Sequence, residues 1–91
     1  MAKIVVHSII IRSNGYDPSV LEIPVGDHVL WKNEDGETRT VTSIDHLFDS
    51  GEIKHDDTYV HTFNEAGSFK YYDRLGTGPR GVAISGIINV T

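Results

Sequence analysis

Apolar residues in this chain recur at every second position, in runs too short to build a useful helix. His28 to Asn33 sets Val29, Trp31 and Asn33 on one face. Thr58 to Phe63 does the same with Tyr59, His61 and Phe63, and Ser68 to Asp73 with Phe69, Tyr71 and Asp73. Side chains alternate across a strand, so each run has one inward face. Turn formers separate the runs: Arg12-Ser13-Asn14-Gly15, Gly26-Asp27, Asn33 to Gly36, and Glu65-Ala66-Gly67. Ile4 to Ile11, Val20 to Val25, Thr38 to Ser43 and Val82 to Val90 read as further strands, with Pro24 marking an edge or a bulge. Tyr16 to Pro18 is extended, because a residue before proline avoids the α region. Ile44 to Gly51 reads as irregular. The pattern predicts an all-β fold, a two-sheet Greek-key β-sandwich of about seven or eight strands. Its expected core is Val29, Trp31, Phe63, Phe69, Tyr71, Ile88 and Val90.

A chain of 91 residues suits one domain, residues 1–91, with a single core. It contains no cysteine, which excludes disulfides and every thiolate metal site. The formal net charge of -5 argues against nucleic-acid binding and favours, if anything, a basic partner. No apolar run is long enough to span a membrane as a helix, and the opening residues do not read as a secretory signal. Catalysis has no support: there is no serine elbow, no Cys–His pair and no phosphate loop. Gly76-Thr77-Gly78-Pro79-Arg80-Gly81 lacks the strand–loop–helix setting of a P-loop and reads as a hairpin-like loop. The chain is therefore not expected to be an enzyme.

The histidines require a metal check. His7 and His28 sit in strands as ordinary edge or surface residues. His61 shares a face with Tyr59 and Phe63 and reads as a packed, hydrogen-bonded histidine rather than a ligand. His46, Asp49, His55, Asp56 and Asp57 form the one local cluster of donors, so a weak zinc or copper(II) site would use His46 and His55. A solvated polar loop is the simpler reading. Alternation also turns Asp73 toward the interior beside Phe69 and Tyr71. An inward carboxylate needs a partner.

A set of motifs then fixes the comparison. Tyr16-x-Pro18 is followed by Gly26-Asp27-x-Val29-x-Trp31-x-Asn33-x-Asp35 and Thr40-Val41-Thr42-Ser43. Phe48-Asp49-Ser50-Gly51, Gly67-Ser68-Phe69-Lys70-Tyr71-Tyr72 and Gly86-Ile87-Ile88-Asn89-Val90 complete it. From about Ile4 to Val90 the chain resembles a cupredoxin, the blue-copper sandwich of the plastocyanin and amicyanin type. Members of that family hold copper on His, Cys, His and usually Met. The matching positions here are Arg39, Asp73, Gly76 and Ile84, none a usual ligand, and the loop between Asp73 and Gly86 is longer than in the plastocyanin type. A guanidinium is a permanent cation with no lone pair for a metal.

The resemblance thus implies a copper-free scaffold of electron-transfer ancestry, with no cofactor. It places Arg39 and Asp73 where they can form an ion pair in the metal's stead. It implies a docking surface at one end, made by Tyr16, Pro18, Tyr72, Arg74 and Arg80, with another protein or domain as partner. It also favours an extracytoplasmic location, periplasmic or secreted. Three classes of function stay open: a structural or protein-interaction module, a protein with a rebuilt non-thiolate Cu(II) or Zn site, and a variant of a copper electron carrier.

Overall fold

The computed structural model describes residues 5–76 and 83–91. Eight strands follow one another: β1 (Val6–Arg12), β2 (Gly15–Asp17), β3 (Val20–Ile23), β4 (His28–Asn33), β5 (Thr42–Ser43), β6 (Thr58–Thr62), β7 (Gly67–Tyr72) and β8 (Ser85–Val90). They form two four-stranded sheets, β2-β1-β4-β6 and β3-β8-β7-β5. Within them β1 pairs with β4 and β3 with β8 in parallel, and the other neighbours are antiparallel. No helix occurs among the described residues. The all-β, two-sheet expectation therefore holds.

The core lies between the inner faces. In β4 burial alternates strictly, with Val29, Trp31 and Asn33 inside. Ile9 and Ile11 of β1, Ile23 of β3, Tyr71 of β7, and Ile88 and Val90 of β8 close around them. Each such aliphatic or aromatic side chain contributes about 1.5–3 kcal/mol by leaving water. Trp31 is the hub, with ring centroids 5.4 Å from Tyr71, 5.7 Å from Tyr59, 6.4 Å from Phe48 and 6.5 Å from Phe63. Opposite Tyr71 in the β7–β8 ladder stands Gly86, where a Cβ would collide with the tyrosine hydroxyl.

Several expectations need correction. Phe69 is half-buried and packs against the core from its margin. The core also takes Phe48 and Ile53 from the stretch before β6, including the segment read as irregular. β3 stops at Ile23, whose carbonyl accepts the Thr91 N–H at 2.9 Å, and Pro24 follows with its nitrogen on the open edge rather than in the ladder. The expected strand Thr38–Ser43 shrinks to Thr42–Ser43 plus an isolated Arg39–Ile53 bridge. There the backbone is diverted to side chains: the Thr40 N–H donates to Asp73 Oδ1 at 3.1 Å, and the Val41 N–H to Ser50 Oγ at 2.8 Å.

Candidate functional site

The site lies at the end of the sandwich where β4 finishes. Asn33, fully buried, organises the turn that follows. Its side-chain amide donates to the carbonyls of Glu37 and Ile53, each at 2.8 Å, and its Oδ1 accepts the Asp35 N–H at 2.8 Å. This Asx-type turn sets the Asp35 carboxylate beside Arg39. Arg39 Nε and Nη2 both donate to Asp35 Oδ2, at 2.9 and 2.7 Å. Its remaining arm, Nη1, donates to Asp73 Oδ2 at 3.1 Å. One guanidinium thus joins two carboxylates.

Asp73 is saturated on its other oxygen. Oδ1 accepts the N–H groups of Thr40 and Leu75, both at 3.1 Å, and a longer contact from Thr40 Oγ1 at 3.5 Å. Its own N–H donates to the carbonyl of Ile84 at 3.1 Å. Gly76 stands over the pair, where a Cβ would lie 3.6 Å from Asp73 Oδ2 and 3.7 Å from Arg39 Nη1. Arg39, Asp73, Gly76 and Ile84 are therefore brought to one place. Burial alone disfavours the Arg39 cation, but the hydrogen bonds and charges of Asp35 and Asp73 outweigh it and hold its pKa above the usual value.

These groups do not fit a type 1 copper ion. That centre needs a thiolate and imidazoles, and the chain has no cysteine. A cation without a lone pair fills the space between the two carboxylates, Asp35 and Asp73, that could otherwise ligate. Among the described residues no group of three or more His, Cys, Asp or Glu side chains is placed to hold an ion, so His46 and His55 belong to no such set. His46 is exposed with φ of 62°. His55 is exposed too, with Nδ1 3.2 Å from the Asp35 carbonyl and Nε2 3.5 Å from Asp56. His61 packs between Phe48 and Phe63, ring centroids 4.7 and 4.8 Å away, and burial pushes its pKa down.

The expected docking residues divide. Tyr16 is not a surface residue. The alternation of β2 turns it inward, its hydroxyl donates to the Thr40 carbonyl at 2.6 Å, and its ring meets Tyr71 edge-on at 4.6 Å. Burial first, then the nearby Asp73 charge, raises its pKa far above the ordinary tyrosine value. Pro18 and Arg74 are exposed and Tyr72 is half-buried. Arg74 is committed to Asp49 at 3.0 Å. The Asp49 carboxyl lies below its usual range, chiefly through the Gly51 N–H and then through Arg74. Arg80 lies outside the described residues. The residue that sequence reasoning missed is Asp35. A donor count offered the signal, since a guanidinium has five N–H groups and Asp73 alone leaves most of them unmet.

Known proteins share this fold. A purple cupredoxin from Nitrosopumilus maritimus is 33% identical, with a TM-score of 0.80 over 93% of this chain and 99% of its own. The Cu-containing nitrite reductase (NirK) from Thermus scotoductus SA-01 is 28% identical at a TM-score of 0.80, matching 93% of this chain but 22% of that protein. An oxidized mutant of amicyanin, 23% identical, gives a TM-score of 0.80 over 93% of this chain and 81% of its own, a likeness of fold alone. No family model matches the chain, and no curated protein matches it. With the frame of motifs, the two sheets and the purple cupredoxin in agreement, the chain belongs to the cupredoxins.

Proposed function

We propose that this protein is a copper-free cupredoxin that works as a structural or protein-interaction module on a scaffold of electron-transfer ancestry. One observation carries the reading: Arg39, at a position matching a family ligand, is bonded to Asp35 and Asp73 where a metal would otherwise be held. Three N–H arms and two carboxylates tie the turn after β4 to the end of β7. The cluster can thus keep the loops of this end in place with no ion. The reading gives the chain no catalytic residues. Its partner would be another protein or domain meeting this end through Pro18, Tyr72 and Arg74, in an extracytoplasmic compartment.

Metal analysis of protein purified without chelator, followed by copper(II) titration, tests this. No intense blue, green or purple band should appear, because such a band needs a cysteine sulfur. Any binding should be weak and borne by surface histidines. A stoichiometric, submicromolar copper complex lost in Asp73→Ala would overturn the reading.

A further inference from the structure

The four sheet edges of this sandwich are not equally protected. β2 has three residues and is followed by Pro18. β3 carries Glu22 and is followed by Pro24. β5 is two residues long, and the chain around Asp49 and Ile53 bridges Thr42 and Arg39 beside it. Short length, charge and proline are the usual devices that keep an edge from pairing. β6 has none of them. Its five residues, Thr58-Tyr59-Val60-His61-Thr62, include no Asp, Glu, Lys, Arg or Pro, and Val60 is exposed.

The ladder with β4 tells which groups face the open side. The Asn33 N–H donates to the Asp57 carbonyl at 3.0 Å, and the Phe63 N–H to the Asp27 carbonyl at 3.1 Å. The register pairs Val29 with His61 and Trp31 with Tyr59. Hydrogen-bonded pairs alternate in an antiparallel ladder, so Tyr59 and His61 spend their backbone groups on β4. Thr58, Val60 and Thr62, at the pairs of this ladder that exchange no hydrogen bonds, turn theirs outward, and no strand lies on that side of β6 among the described residues.

We infer that this edge pairs with the same edge of a second copy of the chain, β6 to β6, antiparallel about Val60. The edge is self-complementary in three respects. Centred on Val60, the pairing sets Thr58 opposite Thr62 and Val60 opposite Val60, and all of these carry outward N–H and C=O groups that exchange both bonds. β-branched pairs face one another across the seam. On a chain of net charge -5, this strand brings no like charges together. Exposed Leu47 lies beside His61 and Thr62 in an apolar groove along this edge, which the added strand would cover. The inference concerns the β6 edge alone and does not depend on the copper position.

Sedimentation equilibrium of the full chain up to about 1 mM, with amide hydrogen exchange at low and high concentration, tests it. The mass should rise from one chain toward two. The amides of Thr58, Val60 and Thr62 should gain protection with concentration, while those of Tyr59 and His61 stay equally protected throughout. Val60→Lys, at a position exposed in the single chain, should weaken association by about tenfold or more. Val60→Pro removes the central outward N–H without touching the β4 ladder and should abolish pairing; if it fails to fold, Val60→Lys decides. A single-chain mass at every concentration overturns the inference. So does association that Val60→Lys leaves unchanged, or a rising mass with no added protection at Val60.

Discussion

Arg39 and Arg74 stand on the same end of the sandwich, and each bonds a carboxylate at about the same distance: Nη1 to Asp73 at 3.1 Å, and Nε to Asp49 at 3.0 Å. Their surroundings differ. The Arg39 and Asp73 side chains are 8% and 0% exposed, while those of Arg74 and Asp49 are 38% and 44% exposed. Distance alone would rank the two pairs as equals. Burial separates them, because a charge deprived of water depends wholly on its protein partners. Around Arg74, water can replace whatever the pair loses.

The sharpest break of that contrast is Arg39→Ala. It strands the fully buried Asp73 carboxylate, and the expected cost is about 3–5 kcal/mol, read as a lower urea midpoint. A loss as small as that of a surface pair would erase the distinction. Asp35→Ala should cost less, about 1.5–3 kcal/mol for lost charged hydrogen bonds, because Arg39 keeps Asp73. Equal losses for the two variants would mean that Asp35, not Asp73, is the main anchor.

A smaller effect should come from His61. Burial lowers its folded pKa, so the unfolded chain takes up a proton first as pH falls. Stability should therefore be full above the ordinary histidine value of about 6.5 and decline below it, down to the folded pKa. Urea midpoints across that window should slope less in His61→Leu than in the native chain, and an unchanged slope would assign the pH dependence elsewhere. Least of all, Arg74→Ala should cost only about 0–1 kcal/mol, with most of it lost in high salt. A larger, salt-insensitive loss would place Arg74 with Arg39.

The sequence and the structure agree where one rule acts alone. Alternation identified the inner faces of β4 and β8 and the inward direction of Tyr71 and Asp73, since a strand with one buried face has little choice of register. It overextended the strand at Thr38–Ser43, where the Asp73 carboxylate and the Ser50 hydroxyl take amides that a ladder would have used. Phe48 and Ile53 escaped notice because they reach the core from loop segments with no period. Tyr16 was misread because a family surface was assumed for a three-residue strand whose own alternation buries its central ring. Asp35 was in view as part of a motif, but its bond to Arg39 depends on the Asn33 turn, which spacing alone does not reveal.

The central claim is that Arg39 and Asp73 act as one unit at the position matching the metal site. A double-mutant cycle on Arg39→Met and Asp73→Leu measures this most directly, with stability from urea unfolding of both single variants and the pair. Each single change should be costly and the double change milder than their sum, since it removes the Asp73 carboxylate that Arg39→Met strands. Asp35, 13% exposed, loses its guanidinium in Arg39→Met and in the double variant alike, so that cost cancels from the coupling. The expected coupling is at the upper end of the roughly 0.5–3 kcal/mol range for contacting residues. Additive losses, with a coupling near zero, would contradict the account and leave the two residues as independent neighbours.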